Sequence, residues 1–157
     1  MDKDFFVREI EASSGMLYRV AYTILRNDDA CKDALQDTAL KAWEKRRTLK
    51  EPRYFRTWIT RILIGECVNI QRKQKRSVPV EQLPEAAQDE DGRVVALREA
   101  LEQLPRRHRT MIVLHYMEGY DVRETARIMS TTKGAVCAGL SRARQRLKEM
   151  VGEEMDV

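Results

Sequence analysis

Residues Tyr120 to Lys148, YDVRETARIMSTTKGAVCAGLSRARQRLK, limit what this chain can fold into more than any other stretch. Val122, Thr125, Ala126 and Met129 recur at i, i+3, i+4 and i+7, the spacing of one helical face. Ser130, Thr131 and Thr132 follow, and each has a side-chain oxygen that can cap a helix by accepting a backbone N–H bond. Val136, Leu140, Ala143 and Leu147 then repeat at helical spacing, which predicts a second helix with that face buried and with Lys133, Ala135, Ala138 and Arg142 turned outward. Two helices at a sharp corner match the helix-turn-helix, whose second helix enters the major groove of DNA. An ordinary helical hairpin with solvated arginines shares the same periodicity. The cap-rich corner together with the run Arg142, Arg144 and Arg146 favours the DNA reading.

The rest of the chain carries the same signature. Glycine (7) and proline (4) are sparse among 157 residues and no stretch alternates like a strand, so the expected fold is all-α. Phe6, Ile10, Leu17, Val20, Ala21 and Ile24 mark a first helix from Phe5 to Ile24, with its phase broken at Ser13-Ser14-Gly15, as two helices or one kinked helix would show. Asn27, Asp28 and Asp29 form a capping corner. From Asp29 to Arg47 an amphipathic helix sets Cys31, Leu35, Thr38, Ala42 and Lys45 on one side. Asp29, Asp33 and Asp37 repeat at i, i+4 and i+8, with Gln36, Leu40 and Lys41 close by. Like charges at that spacing oppose one another by about 0.2–0.5 kcal/mol per pair. A solvated acidic face is one explanation. The other is a docking face for a basic partner helix, anchored by Leu40 and Trp43.

Pro52 stands at or near the next helix start. Phe55, Trp58, Ile59, Ile62, Leu63, Cys67 and Ile70 supply a wide stripe to bury, so Trp58 reads as core rather than as a base-stacking group. Arg61, Gly65, Asn69, Arg72 and Arg76 follow another side, and the helix ends in RKQKR. Such a face suits phosphates, or merely solubilises the helix. Net charge is +4, but its distribution says more: Arg53 to Arg76 holds seven Lys/Arg against the single acid Glu66, and Glu81 to Asp91 holds five acids and no base. With Pro79 and Pro84, residues 77–92 read as an acidic flexible linker between a domain at 1–76 and one at 93–157. In the second domain, Val95, Leu97, Leu101 and Leu104 mark a helix stopped by Pro105. A shorter helix runs from Arg107 to about Met117, with Met111, Ile112, Leu114 and His115 inward and Gly119 at a left-handed cap.

Cys31, Cys67 and Cys137 are far apart and form no C-x-x-C pair, which argues against a zinc or dithiol redox site and fits a reducing compartment. No apolar run is long enough to span a bilayer, so the expectation is a cytoplasmic protein without membrane insertion. No carboxylate cluster at metal-ligand spacing, Gly-rich phosphate loop or nucleophile–base pair is present, and His108 and His115 have no partners for catalysis. No enzyme, metal or cofactor is expected.

Several stretches resemble one family. Asp33 to Trp43, DALQDTALKAW, resembles the helix with which bacterial sigma factors grip core RNA polymerase. Phe55 to Ile62, FRTWITRI, is similar to the start of the family's promoter-melting helix. Leu104-Pro105-Arg106-Arg107 with Met111 to Leu114 resembles the entry to the family's second domain, and Glu118-Gly119-Tyr120 with Glu124-Thr125-Ala126 its helix-turn-helix. Gly134-x-Val136 and LSRAR from Leu140 are similar to its recognition helix. With no middle domain, the chain resembles the small extracytoplasmic-function group. The resemblance implies core polymerase and promoter DNA as partners, and an anti-sigma factor as a possible further one. It implies polymerase contacts at Asp33, Gln36, Asp37, Leu40, Lys41 and Trp43. Downstream-element contacts fall on Arg61, Asn69, Arg72, Lys73, Lys75 and Arg76, and upstream-element contacts on Thr131, Thr132, Lys133, Ala135, Arg142 and Arg144. A stand-alone helix-turn-helix regulator remains the alternative.

Four positions depart from the family pattern. Cys137 and Gly139 stand where it usually has basic residues, and Gly139 on an exposed helix costs about 1 kcal/mol relative to alanine. Ala34 and Ala39 replace larger apolar residues of the gripping helix, which predicts weaker docking.

Overall fold

The computed structural model describes residues 1–76 and 92–152, and of Lys75, Arg76, Arg93 and Val94 only the backbone. The acidic segment read as a linker falls almost wholly outside those residues. Seven α-helices make up the described chain: α1 (Lys3–Leu25), α2 (Asp28–Glu44), α3 (Phe55–Arg76), α4 (Gly92–Gln103), α5 (Arg106–Ile112), α6 (Val122–Ile128) and α7 (Lys133–Val151). They divide into two compact units, one holding α1–α3 and the other α4, α5, most of α6 and α7.

In the first unit α1 is a single unbroken helix, not two. The Ser-Ser-Gly stretch stays helical, and the Ser14 hydroxyl donates to the Glu11 carbonyl (2.8 Å) within its own turn. Ser13 packs inward and Gly15 faces solvent. Asp2 caps the start by accepting the Phe5 N–H (2.8 Å). At the far end Arg26 adopts a left-handed conformation (φ 56°), and Asn27 starts α2 by accepting the Ala30 N–H at 2.8 Å.

Phe6, Leu17, Val20, Ala21 and Ile24 from α1 meet Phe55, Ile59, Leu63 and Cys67 from α3 in the core. The inner face of α2 is made of small residues, Ala30, Cys31, Ala34, Thr38 and Ala42, all buried. Small side chains permit a close helix approach, since interaxial distance follows the residues at the contact. Burial pushes the Cys31 thiol up to about 11 and the Cys67 thiol up to about 12, so both stay protonated and inert at neutral pH.

In the second unit Ala100, Leu104, Met111, Leu114, Val136, Leu140 and Ala143 supply the core. After Ile112 the α5 helix widens into a π-helical stretch, Val113–Met117, with the Glu118 N–H bonded to the Val113 carbonyl (2.9 Å). The turn beyond needs Gly119 at φ 79°, and the Tyr120 N–H closes it on the Leu114 carbonyl (3.0 Å).

Candidate nucleic-acid and partner interfaces

Helix α2 presents its acids to solvent. Asp29, Asp33, Gln36 and Asp37 are exposed, and Leu40 is 67% exposed. The two remaining candidates on this helix turn toward the bundle. Lys41 Nζ pairs with Glu66 Oε1 at 2.8 Å, tying α2 to α3 and using the single acid of the basic segment. That hydrogen bond and charge hold the Lys41 ammonium above its usual pKa. Trp43 is half-buried, 5.1 Å from the Phe6 ring between centroids, with the Arg46 guanidinium 4.2 Å over its own ring. Ala34 is fully buried and Ala39 half-buried. Ala34 therefore packs in the α1–α3 core. At the start of α2 the Tyr18 hydroxyl donates to Asp28, which pushes the tyrosine up to about 12. The same bond, followed by Lys32, holds the Asp28 carboxyl below its usual range.

Along α3, Arg61, Asn69, Arg72 and Lys73 are exposed, while the side chains of Lys75 and Arg76 lie outside the described residues. Gln71 Nε2 donates to the Ile24 carbonyl (2.8 Å) and fastens the basic end of α3 to the end of α1. Trp58 is half-buried, and its indole N–H donates to Thr48 Oγ1 at 2.9 Å. That bond and its packing on Phe55 hold the ring against its own unit.

The helix-turn-helix forms as its caps require. Asp121 Oδ1 accepts the Glu124 N–H (2.8 Å) and Glu124 Oε1 accepts the Asp121 N–H (3.3 Å), a reciprocal capping box at the start of α6. The backbone N–H of Glu124 is the main reason that the Asp121 carboxyl lies below its usual range. At the corner Ser130 takes a left-handed conformation (φ 54°) and the Thr131 N–H bonds to the Ala126 carbonyl (2.9 Å). Thr132 caps α7 through its Oγ1, which accepts the Ala135 N–H at 3.1 Å. Thr132→Ala should therefore cost about 1 kcal/mol of second-unit stability, read by thermal denaturation. An unchanged midpoint would mean that the cap is not formed in solution.

On α7, Val136, Leu140 and Ala143 are buried, and Lys133, Ala135, Cys137, Ala138, Ser141 and Arg142 are exposed. Thr131 is half-buried at the corner. The arginine run separates: residues two apart on a helix lie about 200° apart. Arg144 is exposed on the flank where its Nη1 donates to the Tyr116 hydroxyl oxygen (2.7 Å). Gly139 is buried, which overturns the expectation that it lies on the exposed face. A Cβ there would fall 2.4 Å from Met111 Sδ and 3.5 Å from His108 Cδ2, so the position packs against α5.

Comparison with known proteins gives these surfaces a family. The model "Sigma-70 region 2" matches residues 10–77, and "Sigma-70, region 4" matches residues 95–147. The extracytoplasmic-function (ECF) RNA polymerase sigma factor SigM of Mycobacterium tuberculosis is 30% identical over 141 residues, covering 87% of this chain and 71% of that protein. The chain belongs to the ECF sigma factors. The RNA polymerase sigma factor SigV of Bacillus subtilis is 28% identical over 142 residues, covering 87% of this chain and 85% of that one. The sigma factor RpoE of Bartonella quintana, solved in complex with the anti-sigma factor NepR, matches with a TM-score of 0.83 at 27% identity, over 99% of this chain and 100% of that one. In this sigma factor the region 2 match spans α2 and α3 and most of α1, and the region 4 match spans the helix-turn-helix. Members of the family are transcription initiation factors. Among the described residues no group of His, Cys, Asp and Glu could hold a metal ion, and no helix is long and apolar enough to cross a membrane.

Sequence reading missed three features of the sites. The capping box was available as Asp121-x-x-Glu124. The Lys41–Glu66 and Arg144–Tyr116 contacts join residues 25 and 28 apart between different elements, and no local pattern signals them.

Proposed function

We propose that this sigma factor docks on core RNA polymerase through Asp33, Gln36, Asp37 and Leu40 and directs it to promoters through both units. The observation that carries the reading is the exposed face of α2, where three acids one turn apart flank an exposed leucine. A stand-alone helix-turn-helix regulator has no use for that face. Lys41 and Trp43 support it from behind, one through Glu66 and the other through Phe6 and Arg46. The domains are assigned as 1–76 and 93–157, with residues 77–92 as the tether. Joining two modest DNA contacts raises the effective concentration of the second once the first has formed.

In this reading Arg61, Asn69, Arg72 and Lys73, continued by Lys75 and Arg76, hold the downstream promoter element. Thr131, Thr132, Lys133, Ala135 and Arg142 read the upstream element. Thr132 accepts the Ala135 N–H and keeps its own O–H to donate to a phosphate. Arg144, engaged by Tyr116, contributes charge from the flank. The protein works in the cytoplasm as an initiation factor with no catalytic residue, cofactor or metal of its own, and an anti-sigma protein that covers these surfaces is a further partner.

Run-off transcription with core enzyme and a library of genomic fragments tests the reading. Promoter-specific transcripts that depend on the added protein are expected. Their absence on every template, with binding to DNA in the absence of polymerase, would favour the stand-alone regulator. Arg142→Ala should weaken holoenzyme binding and reduce the slope of log affinity against log salt by about 0.9, the loss of one phosphate contact. An unchanged slope removes Arg142 from the phosphate ligands.

A further inference from the structure

The arginines late in α7 are not equivalent. Arg144 is engaged by Tyr116. Arg142 and Arg146, one turn apart on another side, have no hydrogen-bond or ion-pair partner among the described residues. They line an open groove of about 510 Å³ with Ser141, facing Pro105 and His108 at the start of α5. One acid, Glu149, also borders the groove, and its Oε1 accepts a hydrogen bond from the Gln145 side-chain amide at 3.3 Å. Two unpaired guanidinium groups at i and i+4 repel each other. A bound anion would offset that repulsion.

Gly139 helps to shape this groove. Its missing side chain leaves room for Met111 and His108 against α7, since a Cβ would lie 2.4 Å from Met111 Sδ and 3.5 Å from His108 Cδ2. The glycine that departs from the family pattern thus sits behind a basic groove and takes no part in the outward face.

We propose that the groove between α5 and α7 seats a backbone phosphate of duplex DNA, through Arg146 and Arg142 with His108 and Ser141 as additional donors. The proposal rests on the DNA reading of α7 and extends it. Arg142 borders the outward face that carries Ala135 and Ala138. A duplex with its base edges against those alanines would run one strand past Arg142 toward Arg146, about 6 Å further along the helix axis. That step is comparable with the separation of neighbouring phosphates on a strand. An acidic peptide would satisfy the same arginines, and only DNA binding measured directly separates the two.

The test uses the full chain with core polymerase on promoter fragments, over a range of salt. Arg146→Ala should weaken binding about equally on an intact and on a scrambled upstream element, because a phosphate contact carries no sequence information. It should also reduce the salt slope by about 0.9, and Arg146→Lys should restore that slope by keeping the charge. If Arg142→Ala lowers the slope and Arg146→Ala does not, the groove is not a phosphate seat, whether empty or taken by an acidic peptide, while the DNA reading of α7 stands. If the wild-type holoenzyme binds intact and scrambled upstream elements alike and neither variant changes the slope, the DNA reading fails and this proposal fails with it.

Discussion

Asp37→Arg is expected to separate the protein from core RNA polymerase while leaving the first unit folded. Asp37 is exposed, and the buried face of α2 is carried by Cys31, Ala34, Thr38 and Ala42. Nothing in the core has to move to accommodate an arginine. On the helix surface the new cation lies one turn from Asp33 and one turn from Lys41, the first favourable and the second opposed, each by a few tenths of a kcal/mol. Surface changes of this kind fall within about 0.5 kcal/mol in stability. The binding effect is several times larger. Removing one partner of a desolvated charge contact costs about 2–5 kcal/mol, and reversing the charge adds repulsion against the basic partner. A loss of about 2 kcal/mol is already a factor of about 30 in affinity. Pull-down of core enzyme together with a thermal melt checks both halves. Wild-type recovery of core by the mutant would remove the α2 face as the docking site, and a collapsed melt would mean that the position supports the fold instead.

The parts of the fold that were legible in the sequence are those where a local signal and the tertiary structure agree. Val136, Leu140, Ala143 and Leu147 predicted the inner side of α7, and Ser130 to Thr132 predicted a corner that the structure builds with a left-handed Ser130 and a Thr132 cap. The continuity of α1 was not legible, because a Ser-Ser-Gly stretch disturbs the hydrophobic phase, and only the tertiary structure buries Ser13 with Met16 and Leu17 along one continuous helix. At Trp43 the sequence showed a large apolar residue beside acids. It could not show that Phe6, 37 residues earlier, packs against that ring. The Lys41–Glu66 pair is illegible in the sequence for the same reason: Glu66 becomes a neighbour of Lys41 only when α2 packs on α3. The exposed acids and Leu40 needed no long-range information, and there sequence and structure coincide. Gly139 is different. It lies three residues after Val136 and four before Ala143, so the helical period alone put it on the buried side. The family's basic residues at that position point instead to an outward side chain.

The sign of a stability change at residue 139 decides between those two placements. On a solvent-facing helix surface, replacing glycine by a better helix former stabilises by about 1 kcal/mol through backbone entropy. At a packed interface the added atoms must displace a neighbour. Gly139→Ala puts its methyl 2.4 Å from Met111 Sδ and 3.1 Å from Met111 Cε, and Met111 is 1% exposed. A methionine is flexible enough to give way in part, so the alanine variant should come out near neutral, its propensity gain offset by repacking. Gly139→Leu has no such escape. Overpacking a core costs about 1–3 kcal/mol, and three more carbons must fit where a Cβ already overlaps Met111 and touches His108. At about 4–8 °C per kcal/mol for a domain of this size, the second unit should melt roughly 4–24 °C lower. Shortening the neighbour, in the double variant Gly139→Leu with Met111→Ala, should recover part of that loss as a positive coupling between contacting residues. A leucine variant that melts at or above the wild-type temperature would place residue 139 in solvent. The groove that α5 and α7 form around His108, Arg142 and Arg146 would then lose its structural basis.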